Sequence, residues 1–117
     1  MKIPRADEDS KKFFRSLLPD HPSVTTRPMF GNISAFVNGN MFVGLFGTDL
    51  FVRLPPESRQ ELLKKKGSSV FEPAKGKPMR EYILIPRTWR DQPETIRLWV
   101  SRSLEWAGTL PAKKAKK

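Results

Sequence analysis

The sequence predicts an α+β domain: an antiparallel sheet, a three-strand meander plus one or two further strands, flanked by helices in the order α-β-β-β-α-β(β)-α. Three observations carry this. The apolar spacing switches from helical to alternating at Met29, Asn38-Gly39 separates two alternating runs, and a long helical stripe follows Pro86.

The elements follow in chain order. Asp7, Glu8 and Asp9 ahead of Ser10 mark a helix start, since carboxylates favour the positive end of the helix dipole. Phe13, Phe14, Leu17 and Leu18 then make a one-sided stripe that Pro19 ends, and the stretch from Asp20 to Pro28 reads as a turn-rich connection. Asn38-Gly39 suits a type I′ hairpin, which needs positive φ at both central positions, and Gly47-Thr48-Asp49 supplies the next turn. Pro55-Pro56 stops the third strand. A short helix from Pro55 to Gly67, an edge strand around Ser68–Pro73, a strong strand from Met79 to Pro86 and a long helix from Thr88 to Gly108 complete the series. On that helix Ile96, Trp99, Val100, Ser103, Leu104 and Ala107 share one face.

Register follows from the turns. With Asn38-Gly39 as the loop, Phe36 faces Met41 and Ala35 faces Phe42; with Thr48-Asp49 as the next loop, Leu45 faces Val52 and Phe46 faces Phe51. One face then holds Phe36, Met41, Val43, Leu45, Leu50, Val52 and Leu54, the expected core. The other holds Ile33, Ala35, Val37, Asn40, Phe42, Gly44, Phe46, Phe51 and Arg53, more apolar than a solvated face should be. A helix or a second copy is therefore expected to cover it, which makes Ile33, Phe42, Phe46 and Phe51 candidate interface residues.

A chain of 117 residues bounds the expectation to one domain over residues 1–111, with 112–117 as a disordered lysine-rich tail. The absence of Cys removes disulfides, thiolate catalysis and Cys-based zinc sites. No apolar run is long enough to span a bilayer and the first residues lack a secretory pattern, so the protein reads as soluble and cytoplasmic. The net charge is +10, of which Lys113, Lys114, Lys116 and Lys117 supply four units. Such an excess favours anionic partners, nucleic acid first.

No chemical motif accompanies that charge. The glycines around Gly31, Gly39, Gly44 and Gly47 do not form a G-x-G-x-x-G loop and precede strands, so they cannot cradle a phosphate at a helix N-terminus. His21 stands alone beside Pro22, and the scattered acids Asp49, Glu72 and Glu81 have no metal-ligand spacing. The expectation is no enzyme, no cofactor, no metal and no small-molecule ligand. The stretches Arg27-Pro28-Met29 and Lys77-Pro78-Met79 each set a cation and a rigid proline ahead of an apolar run. They read as strand starts, and if the two lie side by side Arg27 and Lys77 form a basic edge.

The segments "RPMFGNISAFVNGNMFVGLFGTDLFVRL", "FEP" and "GKPMREYILIP" with the closing amphipathic helix resemble the TfoX/Sxy N-terminal domain family, from about Phe13 to Ala107. The positions that carry the resemblance are Arg27, Met29, Phe30 and Gly31, then Asn38, Gly39, Met41 and Phe42, then Lys77, Pro78, Met79 and Tyr82. The resemblance implies a curved antiparallel sheet flanked by helices in a stand-alone bacterial member. In founding members this domain precedes a helical one, and the whole protein regulates competence genes together with a cyclic-AMP-dependent transcription activator. No catalytic residues come with the family. Where members often carry Gly-Gly-Tyr-Gly after Met-Phe, this chain has Gly31-Asn32-Ile33-Ser34.

Two functions follow. The first is a non-catalytic regulatory or interaction domain, with a protein partner or a homodimer. The alternative is sequence-independent nucleic-acid binding through Lys64, Lys65, Lys66, Lys75, Lys77, Arg80 and the tail lysines Lys113, Lys114, Lys116 and Lys117.

Overall fold

A computed structural model describes residues 5–29, 31–74 and 76–112, and of Met29 the backbone alone. Phe30, Lys75 and the tail lysines lie outside the described residues, so the expected tail is left where the sequence put it. The order is α1 (Glu8–Ser16), β1 (Val24–Met29), β2 (Asn32–Val37), β3 (Asn40–Phe46), β4 (Asp49–Arg53), α2 (Pro56–Leu63), β5 (Ser69–Ala74), β6 (Lys77–Leu84), a 3₁₀ turn (Arg87–Asp91) and α3 (Pro93–Ala107). The expected class holds: one antiparallel six-stranded sheet, ordered β1-β2-β3-β4-β6-β5, with three helices.

Helix α1 starts where the acids predict. The Asp7 carboxylate accepts from the Ser10 backbone N–H at 2.7 Å, and that bond holds its pKa below the usual carboxylate range. Phe14 and Leu17 are buried beneath it. Helix α3 is shorter than the span expected from Thr88, although the whole apolar stripe lies within it. Pro93 disfavours helical backbone at Gln92, which sits at φ −129° and ψ 64°, so the preceding residues close a separate 3₁₀ turn.

The stretch expected as a connection contains β1, which pairs with β2 from Val24 opposite Val37 to Met29 opposite Asn32. Val24, Thr25 and Thr26 supply β-branched residues, and Pro28 is tolerated because β1 is an edge strand. The meander thus has four strands. Gly31, at φ +82°, sits in the β1–β2 turn against the Arg5 side chain. Asn38 and Gly39, at φ 51° and 80°, form the expected primed turn.

The register departs from the expected pairing in both hairpins. Phe36 does face Met41, but Ala35 faces Val43, so Phe42 is an extra residue on β3. This bulge shifts the alternation by one. Ile33, Ala35, Val37 and Phe42 thereby join Val43, Leu45, Leu50 and Val52 on a single core face. Ile83 and Ile85 continue that face, and Phe14, Leu17, Leu62, Ile96, Trp99 and Val100 close it from the helices. Phe36 and Met41, expected in the core, are instead carried to the opposite face. In the next hairpin Phe46 faces Asp49 and Leu45 faces Leu50, which places the loop at Gly47-Thr48 rather than Thr48-Asp49. A slip of two leaves every side chain on its own face.

Ser103 secures the bulge. It is fully buried, and its hydroxyl donates to the Phe42 carbonyl at 2.6 Å. Ser103→Ala removes that donor and leaves a buried carbonyl short of a partner, an expected loss of about 1–3 kcal/mol. Urea unfolding of the variant measures it, and an unchanged midpoint would show that the bond contributes nothing net.

Candidate interaction surface

With the core gathered on one face, the sheet must satisfy the other with its own side chains. Phe51 and Phe71 are buried yet stand outside the core cluster. Their rings stack at 4.2 Å and 7°. Phe46 meets Phe71 edge-on at 5.2 Å, and Tyr82 meets Phe51 edge-on at 5.6 Å. Such pairs add about 0.5–1.5 kcal/mol each beyond area burial. Gly44 is the floor of this cluster: a Cβ there would lie 2.2 Å from Phe51 Cζ. The gap that the sequence showed at Gly44 is the space the Phe51 ring fills.

Arg53 closes one side. It pairs with Glu81 at 2.8 Å, and its guanidinium lies 5.8 Å from the Tyr82 ring centroid and 5.6 Å from that of Trp106 on α3. The Tyr82 hydroxyl donates to the Met41 carbonyl at 3.2 Å. Burial pushes its pKa above the ordinary phenol value, with Arg53 opposing, so it stays a neutral donor.

Toward β1 the face is more open. Phe36 and Met41, cross-strand partners, are both half-buried, and the exposed Arg27 lies 5.1 Å above the Phe36 ring. Together with half-buried Phe46 and Leu84 this makes a partly solvated apolar surface with cations at its margin. The helices among the described residues pack their buried side chains into the core with Ile33, Ala35, Val37 and Phe42, so the expected cover reaches that part of the second face and not Phe36 or Phe46.

The candidate interface residues therefore separate. Ile33 and Phe42 lie in the core beside helix residues, while Phe46 and Phe51 belong to the aromatic cluster. Lys77, Pro78 and Arg80 are exposed and Met79 is half-buried, opposite Phe71. The imagined basic edge does not form. Arg27 is on β1 and Lys77 on β6, with β2, β3 and β4 between them, roughly 19 Å apart at the usual strand spacing. His21 is exposed and its Nδ1 accepts from the Ser23 backbone N–H, and no metal-competent cluster of His, Asp or Glu occurs among the described residues. The residues that sequence reasoning missed are Phe36, Phe71 and Tyr82. Phe71 and Tyr82 were readable as strand residues, but only the bulge reveals which face Phe36 occupies.

An open antiparallel sheet with its helices gathered on the core face and an aromatic cluster on the other defines a small α+β domain. No helix among the described residues is long and apolar enough to cross a membrane. The chain belongs to the TfoX N-terminal domain family, whose model matches residues 16–107. The match begins at the last residue of α1 and ends at the last residue of α3. No curated protein matches the chain.

Proposed function

We propose that this protein is a non-catalytic regulatory domain that works by protein contact through the helix-free face of its sheet. The observation that carries the reading is the Phe36–Met41 pair, half-buried, cross-strand and capped by Arg27, beside the aromatic cluster. Aromatic, Met and Arg side chains are the types enriched where protein surfaces meet. The cation margin favours a partner that brings an apolar centre and carboxylates at its rim. The regulatory role that the family resemblance implies fits a domain that binds and does no chemistry.

Phe36→Asp tests this. Phe36 is half-buried and outside the core cluster, so the charge spoils the surface without entering the core. The variant is expected to lose bound protein, or self-association, while its cooperative unfolding persists. Retention of the same partners by the variant would refute the reading.

A further inference from the structure

We propose that the groove between the end of α2 and the 3₁₀ turn after β6 binds single-stranded nucleic acid, with backbone phosphates on Lys65 and Lys66 and a base against Trp89. The groove encloses about 610 Å³, inside the range usual for ligand sites. Lys65 and Lys66 from the end of α2, Leu84 from β6, and Arg87, Thr88 and Trp89 from the 3₁₀ turn line it, with Trp89 half-buried and packed in part against the core.

Its charge is uncompensated. The one carboxylate on the wall is Asp49, and both its oxygens are taken by Arg87, at 2.7 and 3.0 Å. Lys65 and Lys66 are exposed and make no ion pair among the described residues. The excess continues beyond the groove. Lys64 caps α2, and Arg59 donates to the Arg80 carbonyl at 3.5 Å, which sets exposed Arg80 alongside the same helix. Of the acids nearby, Glu61 pairs with Arg102, Glu81 with Arg53, and Glu72 accepts from the Gly76 backbone N–H, while exposed Asp91 and Glu57 lie outside the groove lining. Cations without partners beside an aromatic wall are the two components of single-strand recognition, since every base has a face to stack and every linkage a charge to neutralise. A duplex hides its base faces, so Trp89 favours the single strand.

Leu84 borders both this groove and the sheet surface, but Phe36, which tests the sheet-face reading, lies on β2, with β3 and β4 between it and β6. The test is fluorescence anisotropy of a labelled oligothymidylate with the full chain, over a salt series, beside the duplex of the same length and polyglutamate as competitor. Lys65→Ala/Lys66→Ala is expected to flatten the log–log salt slope by about 1.4, roughly 0.7 for each phosphate released. Trp89→Leu is expected to weaken single-strand binding roughly fivefold or more with the slope kept, and to leave duplex binding nearly unchanged. Phe36→Asp should bind the oligonucleotide as the wild type does. An unchanged slope in the lysine variant overturns the proposal, as does a neutral Trp89→Leu that folds normally. If Trp89→Leu fails to fold, the exposed lysine pair decides alone. Polyglutamate held as tightly, with the same dependence on Lys65 and Lys66, would make the groove an acidic-peptide site instead.

Discussion

Phe42→Ala is expected to cost about 3–5 kcal/mol and to lower the urea midpoint by about 1 M or more. The sequence pattern placed Phe42 on the second face, away from the expected core and awaiting cover from a helix or a second copy. The β3 bulge turns it inward, to full burial, with Ser103 holding the backbone at the same residue. A Phe→Ala cavity at such a site removes a large share of a typical stability of about 5–15 kcal/mol. Phe42→Asp would go further, because a carboxylate there has no partner and no water, and is expected to abolish cooperative folding. Phe46→Ala should cost less, since Phe46 is half-buried at the edge of its cluster. If the two alanine variants unfolded at the same urea concentration, the bulge would not have the orientation described.

Gly44→Ala is the second large expectation. The position carries no positive φ, so the obstacle is purely steric. The new Cβ would meet three atoms of the Phe51 ring at 2.2, 2.7 and 2.9 Å. That ring cannot swing aside cheaply, because it is buried and lies flat on Phe71 at 4.2 Å. Overpacking of this kind costs about 1–3 kcal/mol, and this contact belongs at the upper end. A double-mutant cycle identifies the cause. Phe51→Leu is expected to recover part of the loss, so the pair should destabilise less than the sum of the singles. Strict additivity would mean that Gly44 matters for another reason.

The elements themselves were largely legible, and the failures have physical reasons. Asn38-Gly39 marked the β2–β3 hairpin because few dipeptides accept positive φ twice. The bulge beside it was hidden because both faces of β2 and β3 are apolar. Ile33, Ala35, Phe36, Val37, Met41, Phe42 and Val43 alternate equally well in either register, so an extra residue leaves no mark on the pattern. Strand β1 was hidden by Pro22 and Pro28, which read as loop punctuation although an edge strand can hold the second. Helix α3 seemed longer than it is because Thr88 to Gln92 read as its first turn, although Pro93 disfavours helical backbone at Gln92.

The candidate surface was less legible than the fold. Its members come from β2, β3, β4, β5 and β6, and sheet order alone brings Phe71 onto Phe51. Arg27 and Lys77 follow the same local pattern, a cation before Pro-Met, yet one ends an edge strand and the other begins an inner one. Local chemistry specified their backbone; only topology sets their separation. The groove shows the same division. Lys65 and Lys66 were visible as a charge run, but nothing in the sequence sets them opposite Trp89.

The central claim is that the helix-free sheet face, rather than the helical side, is the surface that binds protein. Its most direct test captures partners with the wild type, Phe36→Asp and Leu98→Asp side by side, after nuclease treatment. Leu98 is the exposed large apolar residue on α3, at 67% exposure, and controls for a charge placed on any greasy surface. The expected result is that Leu98→Asp keeps the wild-type complex or dimer while Phe36→Asp loses it. Loss by Leu98→Asp with retention by Phe36→Asp would contradict the account.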